Sequence, residues 1–208
     1  MHFLITSGGT REYIDPVRFI SNSSSGRMGF ALARSALRAG HKVTLVAAPT
    51  DRRPPRGAQV ISVETSAEMF EQVREHFDKC DCLIMAAAVS DYMPARRANS
   101  KIKSGGKGLT IKLKPTVDIL KWAGSHKRRN QCVVGFALED KQLRNRAEKK
   151  LRAKNLDMIV ANASAAIGAP RSTVHVRAID SDWFAIRDAS KLKIAVRIIA
   201  EAERLFGL

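Results

Sequence analysis

Eight consecutive apolar residues, CLIMAAAV at positions 82–89, constrain this chain more than any other feature. A run this short and this uniformly apolar suits a strand covered on both faces, as at the centre of a parallel sheet. Residues 3–7 (FLITS), 42–48 (KVTLVAA) and 132–137 (CVVGFA) have the same character, and 59–63 and 158–161 add two further short strands. Between them the apolar period lengthens. A helix is predicted from about Gly26 to Ala39, with Gly40 placed to end it. Thr65 and Glu68 form a capping-box pattern ahead of Met69, Phe70, Val73 and Phe77, which repeat at helical spacing. The order up to Val89 is β-α-β-α-β, the beginning of a doubly wound sheet.

The second half of the chain opens with a long polar stretch. From Ser90 to Gly108, glycines and Pro94 mix with Arg96, Arg97, Lys101, Lys103 and Lys107, which reads as a basic loop able to approach anions. Leu109, Ile111 and Leu113 alternate with polar residues as a strand does, and Thr116 can cap a short helix containing Ile119, Leu120 and Trp122. Leu143, Ala147 and Leu151 mark a helix with a basic outer face. Val174, Val176 and Ala178 alternate, as do Phe184 and Ile186 beyond a turn at Asp180-Ser181, which predicts a hairpin. A last helix carries Leu192, Val196, Ile199 and Phe206. The expected fold class is therefore α/β: a Rossmann-like, doubly wound, mostly parallel sheet with a C-terminal β-hairpin and a terminal helix. No repeat or linker interrupts the 208 residues, so residues 1–208 read as a single domain.

With 45% apolar residues a core is attainable without disulfides or metals. Cys80, Cys82 and Cys132 lack zinc-site spacing and read as buried thiols. The N-terminus runs straight into a strand, and no apolar run reaches membrane length, which leads to the expectation of a soluble, cytoplasmic protein. Thirty-six Lys and Arg against 20 Asp and Glu give +16, which favours anionic partners: either nucleic acid or a pocket for several phosphates. Aromatic residues total only 6%, too few for the interleaving of rings and cations that binds single strands.

The loop from Gly8 to Ser25 carries the chemistry. A strand ends in Ser7-Gly8-Gly9-Thr10, and a helix follows Ser23-Ser24-Ser25-Gly26. Helix N-termini offer unpaired N–H groups and positive dipole ends, so a phosphate is expected there, though an ordinary serine-capped helix has the same sequence. A nicotinamide or flavin reductase is the natural rival on such a fold. Against it, G-x-G-x-x-G and a Tyr-x-x-x-Lys pair are missing, as is the P-loop signature. His2, His41, His76, His126 and His175 stand singly and read as structural. What remains is a site of lysines, amides and dipoles, which works by positioning and neutralising charge.

Taken together and in order, TSGGTREYIDPVRFISNSSSGRMG (6–29), AAAVSDY (86–92), KIKS (101–104), TVDIL (116–120), VGFALE (134–139) and KKLRAKNLDMIVAN (149–162) resemble phosphopantothenate–cysteine ligase, also called phosphopantothenoylcysteine synthetase. The family is often the C-terminal half of a fusion with a flavin-containing decarboxylase, and a chain starting at its first strand looks like the free-standing form. The resemblance implies a ligase of coenzyme A biosynthesis that joins 4'-phosphopantothenate to cysteine through an acyl-nucleotide, acyl-CMP if CTP is the nucleoside triphosphate, with Mg²⁺ accompanying it. Bacterial members use CTP and eukaryotic members ATP; CTP is expected, with ATP the alternative. It also implies a homodimer, built partly from the 173–187 hairpin with Trp183. By the same resemblance Asn22 holds the acyl-nucleotide, while Arg18, Ser23, Ser24, Ser25 and Gly26 serve the phosphopantothenate side. Met85, Ala86, Ala87, Asp91, Val117, Asp118, Ile119, Leu120 and Phe136 form the nucleotide pocket, and Lys101, Lys150 and Lys154 meet the phosphates. Two stretches depart from the family pattern: Ser104 stands where the K-x-K-K loop motif ends in lysine, and ASAAIGAPRST (163–173) lacks the usual acidic and asparagine residues.

Overall fold

A computed structural model describes residues 1–106, 108–163 and 168–207. Lys107 and residues 164–167 of the atypical segment lie outside the described residues. One eight-stranded sheet organises the chain, in the order β12-β11-β10-β9-β6-β1-β4-β5. Its parallel strands are β1 (His2–Ser7), β4 (Lys42–Ala47), β5 (Gln59–Ser62), β6 (Cys82–Met85), β9 (Cys132–Leu138) and β10 (Met158–Asn162). Strands β11 (Arg171–Ala178) and β12 (Phe184–Ser190) follow antiparallel, which is the predicted C-terminal hairpin. Since β4 and β5 lie on one side of β1 and β6, β9 and β10 on the other, the direction of winding reverses between β1 and β6. Their carboxyl ends diverge there and leave a crevice.

Helices cover both faces. On one, α1 (Arg27–Arg38) and α5 (Lys191–Leu205) pack on Phe3, Ile5, Val43, Leu45 and Ile84. On the other, α2 (Ser66–Phe77), α3 (Ile119–His126) and α4 (Leu143–Ala153) bury Leu4, Val46, Leu83, Val133 and Ile159. Successive β1 residues thus enter opposite cores, which explains the continuous apolar runs. The three cysteines are buried free thiols, and burial pushes Cys80 up to about 12. Gly40 closes α1 with positive φ, while His41 N–H reaches Ala36 and Gly40 N–H reaches Leu37.

Several expectations need correction. The apolar run splits: β6 stops at Met85, and Ala86 to Val89 climb over the end of β1, where Ala87 N–H donates to Thr6 Oγ1 (3.1 Å) and Ala88 N–H to Gly8 (2.8 Å). The Gly8–Ser25 loop contains a small hairpin, β2 (Arg11–Tyr13) with β3 (Phe19–Ser21). Residues 109–112 alternate but find no neighbouring strand, and Leu109 is exposed; only β8 (Leu113–Pro115) pairs, with β7 (Tyr92–Pro94). Asp118, not Thr116, caps α3 by accepting the Lys121 amide, while Thr116 Oγ1 donates to the Ser90 carbonyl. In the α2 capping box Thr65 accepts the Glu68 amide as expected, but the Glu68 carboxylate reaches Glu64 N–H instead of Thr65. The α5 stripe has a different phase: Ile194, Ala195, Ile198, Ile199 and Ala202 are buried and Val196 is exposed. The 173–187 hairpin forms as expected: Val174, Val176 and Ala178 are buried, Trp183, Phe184 and Ile186 are half-buried, β12 is an edge of the sheet, and Arg144 and Arg177 each approach the Trp183 ring at 6.0 Å.

Candidate active site

A cleft of about 610 Å³ opens at the switch point. Its first wall is the segment entering α1. Gly26, at φ 69°, is the N-cap, and no side chain caps the helix; no acidic residue occupies the first turn. The serines preceding it therefore do not satisfy the first amides of α1. The open amides and positive dipole end face a cleft lined by Ser23, Ser24, Ser25, Gly26 and Arg27. The close approach of helix to strand has a local cause. At Gly29 a Cβ would lie 2.5 Å from Ser7 Cβ and Oγ, and Ser7 Oγ itself donates to the Gly26 carbonyl (3.0 Å).

Asn22 joins this wall to the second one. Its Nδ2 donates to the carbonyls of Val89 (3.0 Å) and Ala88 (3.4 Å), so the amide straps the two strand-end loops across the switch point. Met85, Ala86, Ala87 and Asp91 line the cleft beside it, and small alanine side chains leave the backbone accessible. Thr116, Val117, Asp118, Ile119, Leu120 and Phe136 form the far wall.

Two lysines of the α4 end close that wall. Lys150 Nζ donates to the Phe136 carbonyl (2.7 Å), and Lys154 pairs with Asp118 (2.7 Å). Burial lowers the pKa of Lys150, and the neighbouring Lys154 charge lowers it further. Partial burial pushes Asp118 up, but the Lys154 ammonium and the Lys121 amide outweigh it, so the carboxyl sits below its ordinary range. Two cations, a helix N-terminus and a strapping amide thus face one space, an arrangement suited to a phosphorylated ligand whose charge must be neutralised.

Every residue assigned from the sequence lines this cleft except Arg18 and Lys101. Arg18 is committed elsewhere, bound to Asp15 and to the Ile102 carbonyl. Lys101 lies exposed in the neighbouring loop. Sequence reasoning missed Glu139, Asn162 and Lys191, which also line the cleft. Glu139 and Asn162 follow the carboxyl ends of β9 and β10, a position that could have marked them. A second groove of about 810 Å³ adjoins the first through Ser24, Ser25, Arg27 and Lys191, and continues past Arg11, Arg34, Arg52 and Arg53. None of the five histidines lines either space.

A Rossmann-like sheet with a polar crevice at its switch point, lined by Arg27, Lys150, Lys154 and Lys191, defines an α/β protein of the doubly wound, ligand-binding type. Residues 1–205 match the family described as DNA/pantothenate metabolism flavoprotein C-terminal domain, and the chain belongs to that family. It is 42% identical over 209 residues to the coenzyme A biosynthesis bifunctional protein CoaBC of Bacillus subtilis (strain 168), covering 98% of this chain and 51% of that one. Against CoaBC of Borreliella burgdorferi the identity is 41% over 175 residues, covering 83% and 45%. The chain thus spans about half the length of these curated relatives. A crystal structure of the C-terminal domain of CoaBC superposes with a TM-score of 0.87 at 37% identity, covering 99% of this chain and 95% of that one.

Proposed function

We propose that this chain is a phosphopantothenate–cysteine ligase of coenzyme A biosynthesis that uses CTP in preference to ATP. The observation that carries the reading is the cleft itself: the uncapped α1 N-terminus on one wall, Lys150 and Lys154 on the other, and Asn22 between them. A carboxylate oxygen of 4'-phosphopantothenate attacks the α-phosphorus of the triphosphate, and the bond to pyrophosphate breaks. The amine of cysteine then attacks the acyl carbon, loses a proton, and displaces the nucleoside monophosphate. Both steps bring anions together, so the work of the protein is to hold them aligned and to offset their charge.

The α1 amides and Ser23 to Gly26 hold the acid, and Asn22 holds the acyl-nucleotide. Asp118, Ile119, Leu120 and Phe136 border the nucleotide, whose phosphates meet Lys150 and Lys154. Mg²⁺ bound with the triphosphate would neutralise part of its charge. Asp91, at the cleft wall, is placed to accept a hydrogen bond from a sugar or base edge, and among the described residues no three metal-ligating side chains converge.

The active species is a homodimer. Its contacts come partly from the 173–187 hairpin, where Trp183, Phe184 and Ile186 are half-buried beside the open edge of β12, and partly from the two small hairpins, where Val17, Phe19, Tyr92 and Leu113 are exposed. Pyrophosphate release measured with phosphopantothenate and CTP, then with ATP, and finally with cysteine added, tests the reading. Release that depends on the acid and favours CTP is expected. Equal turnover with ATP would remove the nucleotide preference, and no release with either would remove the ligase.

A further inference from the structure

The pair Asp15 and Arg18 lies outside the cleft, yet it is the most highly hydrogen-bonded ion pair among the described residues. Asp15 is fully buried. Its Oδ1 accepts the amides of Val17 and Arg18, both at 2.8 Å. Its Oδ2 accepts Arg18 Nε (2.9 Å) and Nη2 (2.5 Å) and, from 87 residues away, the amide of Ile102 (3.1 Å). The guanidinium completes the grip, because Arg18 Nη2 also donates to the Ile102 carbonyl (2.7 Å). Both peptide groups of Ile102 are therefore held by one ion pair. Among the described residues from Asn99 to Thr110, only Ile102 is hydrogen-bonded to the rest of the chain and only Ile102 is half-buried, the others being exposed.

We infer that Asp15 is a positioning residue: with Arg18 it latches the loop at Ile102 and so fixes where the adjacent Lys101 can act. The physical basis is the cost of a buried carboxylate with an open acceptor site. Charge-assisted hydrogen bonds are the strong ones, and a buried anion that loses a donor keeps its desolvation penalty. Detaching Ile102 would leave Asp15 Oδ2 short of a donor and Arg18 short of an acceptor. The loop offers no apolar contact of comparable weight. Its glycines, at 105, 106 and 108, and its exposed lysines favour freedom. The arginine fork beside Asp15, together with the three amides, outweighs its burial and holds its carboxyl far below the ordinary carboxylate range. One residue from this anchor, Lys101 can reach only what lies within a lysine's length of the hairpin end. The role assigned to Lys101 rests on the proposed ligase function, whereas the latch does not.

Asp15→Asn keeps the size of the side chain and removes its charge. Three measurements decide: thermal unfolding, trypsin cleavage after Lys101 and Lys103 in ligand-free protein, and the two half-reactions. A folded variant cut in this loop at least tenfold faster is expected. Acid-dependent pyrophosphate release should fall at least tenfold, while capture of ready-made acyl-nucleotide by cysteine changes less than twofold. Unchanged cleavage in a folded variant would overturn the latch. Faster cleavage with equal loss in both half-reactions would overturn the positioning of Lys101, since that is the mark of general damage. Faster cleavage with wild-type protein inactive in both half-reactions would overturn the ligase reading and leave the latch. If Asp15→Asn does not fold, Ile102→Pro decides in its place. It removes only the amide that Asp15 accepts, leaves Asp15 and Arg18 paired, and is scored by cleavage after Lys103. Wild-type resistance at Lys103 would then overturn the proposal.

Discussion

At the scale of single residues, the two lysine groups of the proposed site differ in how firmly they are held, and this gives them different tests. Lys101 stands in an exposed loop with no core contact, so Lys101→Gln should leave the unfolding midpoint unchanged. It should slow acid-dependent pyrophosphate release by about a hundredfold, the cost of losing one charged donor, on the order of 3 kcal/mol. Capture of supplied acyl-nucleotide should persist. Normal pyrophosphate release would show a solvated charge with no part in the reaction. Lys150 is half-buried and fixed to the Phe136 carbonyl. Burial, and next the charge of Lys154, depress its pKa. The ammonium form is therefore lost, as pH rises, earlier than in a free lysine. The KM for the triphosphate should rise on the alkaline side below pH ~10.5, where an unperturbed lysine would still be charged. Lys150→Arg should shift that limb upward, because guanidinium does not titrate there. A limb that stays in place in the arginine variant would assign it to another group.

Elements were legible wherever burial imposed a period. The parallel strands, α1, α2 and α4, and the C-terminal hairpin follow from apolar runs, 3.6-residue stripes and alternation. The misreadings have separate causes. In α5, large side chains suggested the stripe, but the helix lies close against α1 and buries the small Ala195 and Ala202 instead. Strands β2, β3, β7 and β8 have three residues each, too few to show a period, and they pair only with one another. The residues that line the cleft were named from the family resemblance, and they fall at the strand ends where the crevice of this sheet type opens. Arg18 lies outside the cleft, and its contact with Ile102, 84 residues away, is one that no local pattern reveals. The cap of α1 was ambiguous because serines at 23–25 suit capping, yet the backbone turn falls on Gly26. That element also yields a stability test. Gly29→Ala would gain about 1 kcal/mol of helix propensity but set a Cβ 2.5 Å from Ser7 and 2.9 Å from the Thr6 carbonyl. Overpacking of this kind costs roughly 1–3 kcal/mol, so a net loss and a lower urea midpoint at unchanged m-value are expected. A midpoint at or above wild type would mean that the helix can shift without strain.

For the whole molecule the open questions are assembly and charge. The exposed apolar side chains of the two small hairpins predict that light scattering will find a dimer at tens of micromolar, and that Tyr92→Glu will shift it toward monomer. A wild-type monomer at that concentration would contradict this. The charge of +16 calls for a separate argument. Part of it is concentrated in the groove beside the cleft, where Arg11, Arg27, Arg34, Arg52, Arg53 and Lys191 face a single acid, Asp51. Among the described residues, none of these arginines joins an ion pair with a carboxylate; Arg11 instead lies over the Phe19 ring. A groove of this sign that opens into the cleft raises the local concentration of anions and speeds their capture without touching the chemical step. It also lacks what nucleic acid requires, since its aromatic wall residue, Phe30, is buried and offers no ring on which a base could stack. Arg34→Glu with Arg52→Glu should therefore lower kcat/KM for the triphosphate roughly tenfold at low salt, leave kcat unchanged, and flatten the salt dependence of kcat/KM. Screening explains the last effect: at 0.15 M salt the Debye length is about 8 Å, so charges across the groove lose most of their reach in wild type as well. Single-stranded or duplex DNA should bind weakly and release as salt approaches physiological strength. Tight binding that survives such salt, and that the double variant abolishes, would assign the groove to nucleic acid instead of to the substrates of the neighbouring cleft.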